Sequence, residues 1–219
     1  MTRPKLVIFD LDGTLLDTVE DVADCFNAAL CECGFPAKSL DDIIALVGGD
    51  LETIVSKLLP LGASQKDVAE VKDCYRRIYA ASEKPKTRPY DGIPELLGEL
   101  KANGVDIAVN TNKGQDLAEK CLASAFPNMK IPVSGLVDGI PHKPDPCGVN
   151  VLLDAGPYKA EEAVYVGDGV SDALTASNAN MRFVYCAWGQ GDERRVLAVS
   201  SDAPVARNAR ELKSILMER

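Results

Sequence analysis

The stretch Leu6-Val7-Ile8-Phe9-Asp10-Leu11-Asp12-Gly13-Thr14-Leu15-Leu16 restricts this chain more than any other. Val7, Ile8 and Phe9 are β-branched or aromatic, the composition of a strand covered on both faces. Such strands sit in the middle of parallel sheets, whose ligands bind at the carboxyl ends. Asp10 and Asp12 fall at that end. Two carboxylates this close repel, and they are costly to desolvate unless a cation or a proton balances them. A hard cation such as Mg²⁺ suits the position, because it takes one or two carboxylates and keeps several waters. Gly13 permits a sharp turn and is expected to bring its N–H close to a bound anion. Taken alone, the stretch also fits a strand that merely ends in an Asp-Gly turn.

Beyond this strand the pattern becomes helical. Apolar Val19, Val22, Ala23, Phe26, Ala29, Leu30 and Cys33 recur at three- and four-residue steps. Asp17 with Glu20 resembles a capping box, and Gly34 is a natural stop. Ser39, Asp50 and Ser64 each open a further helix, the second of the four ending at Gly48-Gly49. The helices form a block over residues 16–84, and Lys84 to Pro89 reads as the linker out of it. The chain then alternates. Helices are expected from Ile93, around Leu117–Leu122, from Pro146, from Ser171 and over 208–217. Strands are expected at 105–109, near 133–137, at 163–166 and at 182–187. Strand–helix alternation predicts an α/β doubly wound parallel sheet. The core would be residues 1–15 and 85–219, with 16–84 inserted as a helical lid.

Charge and cysteine usage narrow the function classes. A formal net charge of −9 argues against a broad nucleic-acid or anionic-membrane surface. No apolar run approaches the roughly 18 residues of a membrane span, and the apolar stretch behind Arg3 and Lys5 is too short for a signal peptide. The seven cysteines are odd in number, and Cys31-Glu32-Cys33 is tighter than the usual zinc or redox pair. They read as structural or incidental, and the chain as cytoplasmic. The single histidine, His142, leaves little for a Cys/His zinc site and excludes mechanisms needing two histidines.

Four polar clusters fall at strand ends or in loops: Asp10/Asp12, Thr111-Asn112, His142-Lys143-Pro144, and Asp168 with Asp172. Singly each is an ordinary turn or loop. Together they supply the parts of phosphoryl transfer: a carboxylate nucleophile, an acid/base, oxygen donors for Mg²⁺, hydroxyl and backbone donors, and a lysine cation.

With these residues in hand, the sequence resembles the haloacid dehalogenase superfamily, in particular its phosphoglycolate phosphatases with a helical (C1-type) cap. The motifs are Asp10-Leu11-Asp12-Gly13-Thr14, Asn110-Thr111-Asn112-Lys113, Lys143-Pro144-Asp145-Pro146 and Gly167-Asp168-Gly169-Val170-Ser171-Asp172. Pro89-Tyr90-Asp91-Gly92-Ile93 and Ala187-Trp188-Gly189 add to the likeness, which covers essentially the whole chain. It implies a Rossmann-like core with an inserted cap, and Asp10 as the nucleophile that forms an aspartyl phosphate. Asp12 would be the acid and base. The Asp12 carbonyl, the Asp10 carboxylate and Asp168 would hold Mg²⁺. Thr111 and Lys143 would hold the phosphoryl group beside Gly13 and Asn112, with Asp172 supporting the metal site or Lys143. The partner implied is a small phosphorylated metabolite, best 2-phosphoglycolate. Gly49 and Lys57 of the cap are candidate substrate contacts.

Some positions depart from the pattern. Gly169 stands where Ser or Thr often follows the metal-binding aspartate, which implies a tuned metal site. Asn178-Ala179-Asn180 replaces an Ala-Gly helix ending, and Asn tolerates the left-handed backbone this needs. His142 fits a loop role better than substrate contact. Asp12 argues against a dehalogenase and against a phosphonate hydrolase using Lys57. A sugar-phosphate mutase like β-phosphoglucomutase keeps both aspartates and stays open, as does a silent binding module on the same fold. Oligomeric state, monomer or homodimer, is not encoded in any of these motifs.

Overall fold

The computed structural model describes residues 3–47 and 50–217. The chain divides into two compact units, one of Met1–Leu16 with Arg88–Arg219 and the other of Asp17–Thr87. The first is an α/β unit built on a six-stranded parallel sheet. Its strands are β1 (Leu6–Phe9), β4 (Asp106–Gly114), β5 (Val133–Leu136), β6 (Ala163–Gly167), β7 (Arg182–Cys186) and β8 (Val205–Ala206), in spatial order β5-β4-β1-β6-β7-β8. β1 pairs with β4 through Leu6–Asp106 to Phe9–Val109, and with β6 through Leu6–Ala163 to Phe9–Val166. The order reverses at β1, so the crevice at its carboxyl end is the topological switch point of the sheet.

Alternation along β1 explains its central place. Val7 and Phe9 belong to one apolar core with Leu97 of α5 (Ile93–Ala102) and Leu122 of α6 (Gln115–Ala125). Leu6 and Ile8 belong to the other, with Val149 of α7 (Cys147–Asp154) and Ala176 of α8 (Val170–Asn178). All four β1 side chains are buried. Helices α9 (Glu193–Val199) and α10 (Ala209–Met217) close the unit. The α/β doubly wound class expected from the alternation is therefore the observed one.

Locally, one expectation changes and two unassigned elements appear. β4 does not stop at Val109 but continues through Thr111 to Gly114, with a register irregularity against β5 between Asn110 and Gly114. A ladder that continues past an irregularity has no composition signal marking its end. The segment 193–199 is a helix capped by Asp192, whose side chain accepts from Arg194 and Arg195, and β8 follows it; the sequence reading assigned neither. Both elements are short, which leaves their periodicity weak. Asn180 does adopt the left-handed backbone, with φ 53°.

The second unit holds α1 (Val19–Glu32), α2 (Leu40–Ile44), α3 (Leu51–Leu58) and α4 (Gln65–Ala81). Capping boxes at Ser39 and Ser64, and Asp50 accepting from Thr53 N–H at 2.9 Å, start three of these helices. The expected Asp17–Glu20 box is absent: Asp17 ends the two-residue strand β2 (Leu16–Asp17), and Thr18 takes the N-cap position without a side-chain capping bond. α1 and α4 are locked by stacking of Phe26 on Tyr75, with ring centroids 4.0 Å apart. Buried Asp21 accepts from the Lys86 N–H at 3.1 Å and the Thr87 hydroxyl at 2.7 Å, which ties the outgoing linker to α1. β2 pairs with β3 (Arg88–Pro89) in a two-stranded sheet. Among the described residues, no helix is long and apolar enough to cross a membrane.

Because β1 is packed from both sides, Ile8→Ala is expected to cost about 2–5 kcal/mol. Urea unfolding should show a lower midpoint at unchanged slope; a loss under about 1 kcal/mol would mean that the face opposite Phe9 is not close-packed.

Candidate active site

The site is assembled by four segments of the α/β unit that meet at the carboxyl end of the sheet. Asp10 follows β1 directly, and its N–H donates to the Val166 carbonyl at 2.9 Å, so the carboxylate is held on rigid sheet backbone. The turn behind it closes when Leu15 and Leu16 N–H groups both donate to the Leu11 carbonyl. Lys143 lies in the loop before α7, where its peptide bond to Pro144 is cis. Its ammonium bridges Asp10 and Asp172, at 2.7 Å from each. Asp172 also accepts from the Gly169 N–H at 2.9 Å, which caps α8, and from the Tyr165 hydroxyl at 3.4 Å. Asp168 accepts from the backbone N–H groups of Gln190 (2.9 Å) and Gly191 (3.2 Å) and from the Thr14 hydroxyl (3.2 Å).

Oxygens of Asp10, Asp168 and Asp172 lie within 4.8 Å of one another, and all three residues are buried. One lysine against three carboxylates leaves two negative charges in excess. The electrostatics register this surplus. Burial, then the Asp172 carboxylate, hold the Asp10 pKa well above the usual range despite Lys143. Burial and Asp172 push Asp168 up to about 7. For Lys143, burial disfavours the charge, but Asp10 and Asp172 outweigh it and the pKa lies well above the ordinary lysine value. A divalent cation would supply the missing charge, and an all-oxygen donor set suits Mg²⁺.

Glycines make the room. Gly13 has φ 87°, and a Cβ there would fall 2.5 Å from Asp168 Oδ2. A Cβ on Gly189 would meet the same oxygen, with the Gly13 carbonyl beside it. The backbone is thus drawn against Asp168 from two sides, and this is a cradle that only glycine fits. The Trp188 indole N–H donates to the Thr14 carbonyl at 3.0 Å and pins the two loops together.

The expected site residues separate into groups. Asp10, Lys143, Asp168 and Asp172 converge as one cluster. The Asp12 carboxylate stands apart from them, paired with Lys113 Nζ at 2.9 Å. Thr111 is buried on β4, and its oxygen accepts from the Lys113 N–H at 3.2 Å, leaving the hydroxyl proton to donate. Asn112 was expected at the substrate. Its side-chain amide instead engages the Lys143 backbone both ways, accepting from N–H at 2.8 Å and donating to the carbonyl at 3.4 Å. It positions the lysine loop. The Gly13 N–H, expected at an anion, donates to the Leu16 carbonyl at 2.9 Å, because the tight turn closes on itself. Gly49 lies outside the described residues. His142 is an exposed loop residue whose Nδ1 sits 2.8 Å from its neighbour's carbonyl. Sequence reading did not assign roles to Lys113, Thr14, Tyr165 or the Gln190–Gly191 backbone. Lys113 and Thr14 lay inside quoted motifs, whereas backbone donors carry no side-chain signal.

The sequence pattern of the haloacid dehalogenase-like hydrolases matches residues 7–186. The chain belongs to that family. Within it, the protein is phosphoglycolate phosphatase-like. It is 31% identical over 221 residues to the phosphoglycolate phosphatase of Pseudomonas syringae pv. tomato, covering 95% of this chain and 78% of that one. The Aquifex aeolicus phosphoglycolate phosphatase is 29% identical over 192 residues, covering 84% and 85%. A solved structure from Lactobacillus delbrueckii subsp. bulgaricus, provisionally named a phosphoglycolate phosphatase, aligns with TM-score 0.92 at 25% identity over 100% of both chains.

Two outcomes follow from this haloacid dehalogenase-like site. Gly189→Ala should weaken divalent-cation binding tenfold or more (roughly 1.4 kcal/mol or above) with the fold retained; calorimetric titration at wild-type affinity would refute the cradle. The second concerns pH. Asp168 titrates at about 7 when folded, against an ordinary 3.8. Its contribution to stability is therefore full below about pH 4 and lost as pH rises through 7. A cation that needs the ionised carboxylate offsets that loss only at the upper end. The rise in Tm on adding a divalent cation should be small at pH 5 and large at pH 8, and a pH-independent rise would contradict it.

Proposed function

We propose that this hydrolase cleaves a small phosphate monoester, 2-phosphoglycolate being the first choice, through a phosphorylated Asp10 with Mg²⁺ as cofactor. The observation that carries the reading is the Asp10 carboxylate at the switch point of the sheet, held by Lys143 in a buried cluster short of positive charge. The names of the relatives support the substrate class.

The chemistry assigns each residue a task. Asp10 attacks phosphorus, the bond to the leaving oxygen breaks, and Asp12 gives that oxygen a proton. Asp12 then takes a proton from water, which displaces Asp10 and releases inorganic phosphate. Lys143 and the Thr111 hydroxyl hold phosphoryl oxygens, Lys143 as a point charge. Asn112 and Asp172 keep Lys143 in place, and Lys113 orients the Asp12 carboxylate. Asp10, Asp168 and the Asp12 carbonyl would hold Mg²⁺, supported by Asp172; the bound cation would neutralise charge so that carboxylate and phosphate can meet. Residues 1–15 with 85–219 form the catalytic core in this reading. The inserted helices of 16–84 select the leaving group, with Gly49 and Lys57 as the contacts to test.

The experiment is phosphate release from a panel of 2-phosphoglycolate, hexose phosphates, nucleotides and pyrophosphate, with Mg²⁺ and with chelator. A Mg²⁺-dependent preference for one small monoester is expected. Asp10→Asn should lower turnover about a thousandfold or more while the far-ultraviolet circular dichroism stays unchanged. Wild-type turnover in that variant would overturn the nucleophile. Isomerisation of a sugar phosphate without phosphate release would transfer the assignment to a mutase.

A further inference from the structure

Lys113 orients Asp12 in the proposed reaction, and that task alone does not explain a positive charge withdrawn from water. Its side chain is 7% exposed, and its ammonium lies 2.9 Å from an Asp12 oxygen. A charge so far from solvent is costly unless it meets an opposite one. A neutral amide would orient a carboxylate by hydrogen bonding at lower cost. Lys113 stands two residues beyond Thr111 on β4, and its N–H donates to the Thr111 oxygen at 3.2 Å. The hydroxyl assigned to the phosphoryl group and this ammonium therefore share one length of backbone. Lys143, the other lysine of the site, is already held between Asp10 and Asp172.

We propose that Lys113 selects an anionic leaving group: its ammonium pairs with a carboxylate attached to the carbon that bears the leaving oxygen. The preferred substrates are then phosphate esters of 2-hydroxy carboxylic acids. This rests on the phosphatase reading above, with Asp12 as the group that protonates the leaving oxygen. To do so Asp12 comes within hydrogen-bond reach of that oxygen, about 2.8 Å. The Lys113 ammonium, 2.9 Å from Asp12, then stands within about 6 to 8 Å of the leaving oxygen. A carboxylate on the adjoining carbon spans about 3 Å of that gap, and one charge-assisted hydrogen bond of about 2.8 Å closes most of the rest. Charge points the same way. Asp10, Asp168 and Asp172 crowd the site with negative charge, so a second anionic group on the substrate is repelled there unless a cation faces it. Lys113 is a cation placed to do that while Lys143 serves the phosphoryl oxygens.

Orientation and selection have different consequences. An ammonium that only oriented Asp12 would serve every monoester alike, because each leaving oxygen needs the same proton. An ammonium that meets the substrate favours a negative leaving group over a neutral one of the same shape, and disfavours a positive one. The ratio of rates between such substrates therefore isolates the contact from any general loss of activity.

The test measures kcat/KM of the full chain, with Mg²⁺ present, for three esters of nearly equal size. They are 2-phosphoglycolate, carbamoylmethyl phosphate, in which an amide replaces the carboxylate, and 2-aminoethyl phosphate, which carries an ammonium. The wild type is expected to prefer the first over the second by about a hundredfold and to work least on the third. Lys113→Gln should slow all three through Asp12 and, beyond that, bring the first two within about threefold of each other. Lys113→Met, of similar length, is held to the same ratio should the glutamine variant misfold. A variant that keeps the wild-type ratio would overturn the selection. Phosphate release by the wild type without a charge preference would sink this inference alone. No release from any of the three would sink the phosphatase reading, and this inference with it.

Discussion

The pair of 2.7 Å contacts from Lys143 to Asp10 and Asp172 is the interaction on which the rest of the site depends. A buried lysine is costly to charge, and so is each carboxylate beside it. Together they tolerate burial because each meets an opposite charge at hydrogen-bond distance. The balance is incomplete, since Asp168 brings a further negative charge into the same pocket. Much of the surrounding structure manages that residue: two backbone N–H groups, one hydroxyl, and glycines at 13 and 189 that let the chain approach it. The shortfall of positive charge is what makes this ion cluster a candidate cation site. Removal of Lys143 would increase the shortfall and leave two carboxylates without their principal partner. Its amide is accordingly tied down by Asn112 of β4, and its ammonium by Asp10, just beyond β1, and Asp172 of α8.

The fold and the main cluster were legible because both rest on patterns with strong local signals. Val7-Ile8-Phe9 could be covered on two faces only in a central strand, and its carboxyl end had to be the ligand end. The caps at Ser39, Asp50 and Ser64 are written in single side chains, and the structure shows each of them bonded. What was illegible has a common physical origin. The Gly13 N–H turns back to Leu16, and the continuation of β4 through Thr111 depends on its pairing with β5. Neither outcome is determined by the residues' own preferences. The Asn112 amide could have met a ligand or a main chain, and only the path of the 142–145 loop decides between them. Asp17 illustrates the same limit in reverse, because the capping-box pattern was present but pairing in a two-residue strand claimed the residue.

The two aspartates of the first motif, separated by one residue, end in unlike surroundings, and the turn geometry is the reason. Asp10 still belongs to the sheet: its N–H is taken by β6, and its carboxylate points into the buried cluster, where it meets the Lys143 ammonium. Asp12 is already in the turn, more exposed, and matched with Lys113 from the far end of β4. A hydrolysis in two displacements needs one carboxylate that stays ionised against phosphorus and another that exchanges a proton with a mobile oxygen. The first must be screened by fixed positive charge, and the second must be able to leave its partner. Lys143, anchored at three points, suits the first requirement. The partly exposed Asp12 carboxylate, paired with Lys113, suits the second. The unlike surroundings of the two carboxylates thus follow from where β1 ends.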